Sequence, residues 1–165
     1  MLLICTASNG NNLALAQELA RLAGELSIEH QLLDLVDLDW PLYTPERQES
    51  GAPEDFARID ALFHSARAFV SCAPEYNGSI PPTLTSLIAW LSVAGDDFRT
   101  LFNGKPSALA THSGGGGQKV LVAMRLQLSH LGSNVLGREL ITNKGKSLNE
   151  DSARQILGQL AGALG

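Results

Sequence analysis

The chain has 165 residues, 44% of them hydrophobic and 18% charged, which is apolar enough to bury a core and too apolar for a disordered segment. Its length suits one domain over residues 1–165. Twelve basic against seventeen acidic residues leave a net charge of -5, with no basic run, so a nucleic-acid partner, which needs clustered cations to release counterions, is disfavoured.

Read in order, apolar runs of strand length alternate with helical patterns. Leu2 to Cys5 is apolar throughout, as a strand buried on both faces would be. Leu15, Leu19, Leu22 and Leu26 then recur at the spacing of one buried helix face. Ile28 to Leu35 reads as a second strand, and residues 36–54, with three prolines and one glycine, as a long connecting loop. A helix from about Glu54 to Ala66 turns Phe56, Ile59, Leu62 and Phe63 inward, and Ala68 to Ala73 follows as a third strand ended by Pro74. A helix opens near Pro82, a residue tolerated in a first turn, and runs to about Leu91. Ser107 to His112 is the fourth strand. After four glycines, Lys119 to Leu131 is helical, with Leu121, Met124, Leu128 and Leu131 on one side. Asn134 to Leu136 is a short fifth strand, and Ser147 to Leu164 a last helix with Asn149 as its N-cap.

Strands that alternate with helices pair in parallel and carry helices on both faces. The expected fold is a three-layer α/β sandwich around a five-stranded parallel sheet of order 2-1-3-4-5. No apolar run approaches the roughly 20 residues that cross a bilayer. The opening Met1-Leu2-Leu3-Ile4-Cys5 lacks the basic flank of a leader peptide. A cytoplasmic domain with no membrane partner is therefore expected. Cys5 and Cys72 lie in apolar segments, form no Cys-x-x-Cys pair and show no ligand spacing with the four histidines, so no metal site is expected.

In such a sheet a ligand binds beyond the carboxyl ends of the strands, where the strand order reverses. Three unusual loops fall there. Thr6-Ala7-Ser8-Asn9-Gly10-Asn11-Asn12 offers hydroxyls, amides and the free N–H groups of a helix start, a combination that can hold a phosphate without a cation. The same residues also serve as a plain cap and turn. No Gly-Lys-Ser/Thr follows, so this is not a Walker loop. With five residues between them, Asn11 follows Cys5 at the position where a phosphotyrosine phosphatase cradle needs arginine. Pro74-Glu75-Tyr76-Asn77-Gly78-Ser79-Ile80-Pro81-Pro82 sets a tyrosine in a proline-bracketed turn, which can face a planar ligand or simply redirect the chain. Thr111-His112-Ser113 and Gly114 to Gly117 give up backbone entropy where a ligand must come close, or where the chain hinges. No Gly-x-Ser-x-Gly elbow supports a hydrolase.

PEYNGSIPPTLTSLIAW, from Pro74 to Trp90, resembles the Pro-Glu-Tyr-Asn-x-Ser-x-Pro and following Leu-Lys-Asn-x-Ile-Asp-Trp of the NAD(P)H-dependent FMN reductase family. The opening strand and loop, Pro41-Leu42-Tyr43 and the glycine loop extend the resemblance from about Leu2 to Leu140. It implies a flavodoxin-like fold that binds FMN without a covalent bond. The first loop would hold the FMN phosphate through Ser8, Asn11, Asn12 and Leu13. Pro74, Glu75, Tyr76, Asn77 and Ser79 would line the ring system and ribityl chain, and Ser113, Gly114, Gly115 and Gly116 the pyrimidine end. The chain departs from the family in its shorter first loop, which lacks an arginine, and in Thr85, Ser86 and Ala89, which replace lysine, asparagine and aspartate where family members pack as dimers.

The resemblance implies an oxidoreductase in which NADPH or NADH reduces bound FMN, and the electrons pass to a flavin, a quinone, an azo compound or a metal oxyanion. The flavin carries the chemistry, so no side chain is assigned as a catalytic acid or base. A homodimer or homotetramer is expected. The alternatives are a flavodoxin-type electron carrier that nicotinamides do not reduce, and a flavin-free binding module that keeps the fold.

Overall fold

Five parallel strands, β1 (Leu2–Thr6), β2 (His30–Asp34), β3 (Ala68–Cys72), β4 (Pro106–His112) and β5 (Asn134–Thr142), form one sheet in the order β2-β1-β3-β4-β5. The structure is a computed structural model that describes residues 1–93 and 98–164. The flavodoxin-like order expected from the sequence is the one observed. Among the described residues six helices connect and follow the strands: α1 (Asn11–Glu25), α2 (Pro45–Glu49), α3 (Phe56–Ser65), α4 (Pro82–Val93), α5 (Gln118–His130) and α6 (Glu150–Ala161).

The alternation of a strand sends neighbouring side chains to opposite faces. Leu2 and Ile4 of β1 therefore join Leu15, Leu19 and Leu22 of α1 and Ile156, Leu157 and Leu160 of α6 in one core layer. Leu3 and Cys5 join Ile59 and Phe63 of α3, Leu87 and Leu91 of α4 and Leu121 and Met124 of α5 in the other. Both cysteines are free and buried, and burial pushes the Cys5 thiol up to about 12, so it stays protonated. Lys105 lays its ammonium over the Phe69 ring and donates to the carbonyls of Phe63 and His64, closing the end of α3. Burial holds its pKa below the ordinary lysine range.

Several expectations need correction. Residues 36–54 are not all loop, because Pro45–Glu49 form α2, whose N-cap Thr44 accepts from the Arg47 N–H. The fifth strand runs to Thr142 rather than stopping at Leu136. Its pairing with β4 is irregular between Ser107 (opposite Val135) and Leu109 (opposite Glu139). Leu26 follows the end of α1 and is 40% exposed, so the buried stripe stops at Leu22 and Ala23. The last helix starts at Glu150, three residues later than expected, with Asn149 Oδ1 accepting from the Ser152 N–H as its cap. A short 3₁₀ turn, Phe98–Leu101, precedes β4.

Pro41-Leu42-Tyr43 forms a strap pinned to α4. Trp90 Nε1 donates to the Pro41 carbonyl at 2.8 Å, Ser86 Oγ accepts from the Tyr43 N–H at 2.9 Å, and the Tyr43 ring meets Trp90 edge-on. At its start, Trp40 stacks on Phe56 and its Nε1 donates to Asp55 at 2.6 Å. Partial burial of Asp55 opposes its charge, but the Trp40 and Arg58 donors outweigh that and hold the carboxyl below its ordinary value. A carboxyl depressed in the folded state stabilises above its unfolded pKa, and loses that contribution as pH falls through the folded value. Acid titration should therefore loosen Trp40 below about pH 4, seen as a change in tryptophan fluorescence that Asp55→Asn suppresses. An identical acid transition in Asp55→Asn would show that this contact does not hold the strap.

Candidate functional site

Parallel pairing brings the loops after β1, β3 and β4 to one edge of the sheet, and three hydrogen-bonded ties join them. The first comes from α1. Gly10 is its N-cap and has no side chain to offer, and the first turn holds no acid. The first helical bond is from the Ala14 N–H to the Gly10 carbonyl, which leaves the Asn11, Asn12 and Leu13 N–H groups at an open, positively polarised helix end. Asn12 is buried and spends its whole amide on β4: Nδ2 donates to the His112 carbonyl at 3.0 Å, and Oδ1 accepts from the His112 N–H at 2.8 Å.

The second tie joins the β3 and β4 loops. Thr111 Oγ1 donates to the Ala73 carbonyl at 2.7 Å, and Ser113 Oγ lies 2.9 Å from that hydroxyl. Since the Thr111 proton is used on Ala73, Ser113 donates to Thr111 and accepts from the Glu75 N–H at 2.8 Å. The third tie is Thr83, whose hydroxyl donates to the Ala7 carbonyl at 2.8 Å and fastens the start of α4 to the first loop.

Between these ties lies the Tyr76–Ser79 turn. Tyr76 and Ser79 exchange backbone hydrogen bonds, and Asn77 and Gly78 take φ values of 51° and 77°. Two consecutive positive φ values make a type I′ turn, which Asn-Gly adopts at least cost. The turn leaves Tyr76 half exposed. On the loop that Ser113 ties to the start of this turn, Gly114 and Gly115 are exposed, and a Cβ added to either would meet nothing within 4 Å.

The sequence-predicted residues thus divide. Ser8, Asn11 and Leu13 of the first loop, Tyr76, Asn77 and Ser79 of the turn, and Gly114 and Gly115 present exposed or half-buried surface at this edge. Glu75 and Gly116 are half buried, and Pro74 is buried. Asn12 and Ser113 face inward, and their side chains hold the loops together instead of facing a ligand. Thr83 and Thr111 shape the site, yet the sequence reading gave neither a role, although Thr111 opens the third loop it singled out. A buried threonine hydroxyl such as that of Thr111 must find a partner, but nothing in a sequence says which one.

These residues fit FMN by their chemistry. An open helix end with neutral donors suits a phosphate, and an open glycine floor beside an exposed tyrosine suits a planar ring. Among the described residues no three His, Cys, Asp or Glu side chains gather as a metal site, and no helix is long and apolar enough to cross a membrane.

The model of the NADPH-dependent FMN reductase family matches residues 1–147. The chain belongs to this family. A quinone reductase of Escherichia coli (strain K12) is 30% identical over 135 residues, covering 74% of this chain and 70% of that protein. Family and relative together make the chain an NAD(P)H-dependent reductase of the FMN and quinone reductase type. FerB, a flavoenzyme NAD(P)H:(acceptor) oxidoreductase from Paracoccus denitrificans, superposes with a TM-score of 0.75 at 23% identity over 99% of this chain and 94% of its own. An oxidoreductase from Corynebacterium diphtheriae gives 0.77 at 14% identity over 98% and 94%. At these identities the two structures establish the shared fold.

Proposed function

We propose that this reductase binds FMN at the three tied loops, takes its reducing equivalents from NADPH or NADH, and passes them to a small acceptor: a free flavin, a quinone, an azo compound or a metal oxyanion. The observation that carries the reading is the open Gly114-Gly115 stretch on a loop that the Ser113 tie fastens to the start of the Tyr76 turn and the Asn12 tie fastens to the first helix. When bound, FMN supplies the redox chemistry, accepting hydride from the nicotinamide and releasing electrons to the acceptor.

The chain's part is to bind and orient. The Asn11, Asn12 and Leu13 N–H groups and Ser8 receive the phosphate without a cation, which favours a modest affinity. Tyr76 gives its ring face to the flavin or the nicotinamide, and the Asn77 and Ser79 side chains reach the ring edge. The Gly114 and Gly115 N–H groups, which make no hydrogen bond among the described residues, are donors for negative charge at the pyrimidine end. We place the reaction in the cytoplasm, in keeping with two free, buried cysteines. The working assembly is proposed as a homodimer or homotetramer. Val122 and Leu126, 66% and 74% exposed one turn apart on α5, give it apolar surface.

The test is a visible spectrum of protein loaded with FMN, freed of excess and given NADPH or NADH without oxygen. Prompt bleaching is the expected result, and Tyr76→Ala should slow it or weaken flavin retention by about tenfold, the worth of one lost stacking contact. A yellow protein that neither nicotinamide bleaches would make it an electron carrier. A colourless one would remove the flavin assignment.

A further inference from the structure

The order of the strands lays the site out along one line. The loops after β4 and β3 carry the glycine run and the Tyr76 turn, and the next strand, β1, leads into α1. A flavin ring at the first two loops, with its phosphate at the open end of α1, therefore points onward to β2, on the far side of β1. A groove of about 430 Å³ lies there, the size of a small-molecule site. Leu13, whose N–H stands at the open helix end, and Gln17, one turn further along α1, line one side of it. Asp34 and Asp37 line it from the end of β2, and Asp55 and Arg58 from the start of α3.

Two features of this end go beyond what FMN needs. The phosphate of FMN is a monoester with close to two negative charges at neutral pH. Residues 6–20 nevertheless hold no lysine or arginine, and Arg21 is committed to Glu18 and Glu25. A helix end with neutral donors is the cradle that open α/β sheets offer to a pyrophosphate, in which each phosphorus carries a single charge. The second feature is Asp34, the last residue of β2. Its Oδ1 accepts from the Val36 N–H at 2.9 Å, which orients the carboxylate, and its other oxygen has no partner among the described residues. In sheets that hold dinucleotides, a carboxylate beyond the second strand accepts from the ribose hydroxyls of the adenosine.

The Asp37 side chain is exposed and makes no hydrogen bond or ion pair among the described residues, whereas Asp55 is spent on Trp40 and Arg58. Three carboxylates against one guanidinium make the groove hostile to a further phosphate and suited to a neutral group that bears hydroxyls.

We propose that this groove is an adenosine site and that the chain holds FAD in preference to FMN. The pyrophosphate would lie at the open end of α1, Asp34 and Asp37 would accept from the ribose hydroxyls, and the adenine would rest on the apolar wall of Leu13 and Leu38. This assignment rests on the flavin site proposed above and extends it past the phosphate. It also gives the cation-free first loop a ligand of matching charge.

Calorimetric titrations of the full chain, washed free of flavin, with FAD, FMN and ADP test it in the wild type and in Asp34→Ala/Asp37→Ala. FAD should bind the wild type at least tenfold more tightly than FMN. ADP should bind and compete with FMN, since both place a phosphate at α1. The double variant should lose about tenfold or more in FAD and ADP affinity, as expected when hydrogen bonds to charged acceptors are removed, while FMN stays within about twofold. Asp37→Ala alone, at an exposed position, should weaken FAD about threefold or more, and it decides the matter if the double variant unfolds.

FAD bound no more tightly than FMN, an unchanged FAD affinity in the variants, or equal losses for the two flavins would each overturn the adenosine site. So would tighter binding of both flavins by the variants, which would mean that the two carboxylates only repel the phosphate. If neither flavin binds, the proposed function fails, and ADP still decides the groove: binding that the double variant loses would keep the adenosine assignment, and no binding would end it.

Discussion

Gly117→Ala should destabilise the fold by about 3 kcal/mol or more and abolish flavin binding with it. Gly117 sits at φ +74°, where an L side chain is strained. Its added Cβ would lie 2.5 Å from Thr111 Cγ2 and 3.1 Å from Thr111 Oγ1. Thr111 is fully buried in the central sheet and carries the bond to Ala73, so it has nowhere to move without breaking the Ser113–Glu75 tie. Gly115→Ala is the opposite case. Nothing lies within 4 Å of its new Cβ, so denaturant unfolding should match the wild type within about 0.5 kcal/mol. A methyl group on the floor under a planar ring should instead cost about 1–3 kcal/mol of binding, a tenfold or greater rise in Kd for FMN. One substitution is read in a denaturation curve and the other in a flavin titration. If Gly115→Ala left FMN affinity unchanged, the glycine run would serve the turn alone and no ring would lie against it.

The contrast shows what could be read from the sequence. Four consecutive glycines announced a close approach, but not that Gly117 needs its φ for the start of α5 while Gly114 and Gly115 face open space. The central strands were legible because β1, β3 and β4 are buried on both faces: β1 and β3 open as apolar runs, and β4 is built of small and apolar residues with Ser107 and Thr111 buried among them. β5 is an edge strand, and Gly137-Arg138-Glu139 interrupts its apolar pattern just where the register with β4 slips, so residues 137–142 were missed. α2 is five residues long and buries no side chain, so it had no periodicity to detect; only the Thr44-Pro45 start signalled it. The loops of the site were recognisable by residue type, whereas the direction each side chain takes was not. Asn11 and Asn12 are alike in chemistry, but about 100° of helix rotation separates them, and that rotation turns one to solvent and the other under His112.

Asn12→Ala is therefore the substitution that most sharply separates holding the site from touching the ligand. Asn12 is 2% exposed and satisfies both the N–H and the carbonyl of His112, a hundred residues away in the chain. Truncation leaves two backbone groups short of partners, at about 1–3 kcal/mol each, reduced where water can enter beside the half-exposed His112. A loss of about 2–4 kcal/mol in denaturant unfolding is expected. Flavin affinity should fall as a consequence, because the first loop is then free to move relative to the glycine loop. Asn11→Ala, at the exposed neighbouring position, should leave stability within about 0.5 kcal/mol. Asn12→Asp refines the test. It keeps an acceptor for the His112 N–H, but sets a carboxylate oxygen against the His112 carbonyl and adds a negative charge beside the helix end that would receive the phosphate. It should be destabilised like the alanine variant and should bind FMN more weakly than that variant at low salt, with the gap narrowing as salt screens the added charge. Should Asn12→Ala instead lose flavin while unfolding at the wild-type denaturant concentration, the Asn12 amide would be a phosphate ligand, and the tie between α1 and β4 would be incidental.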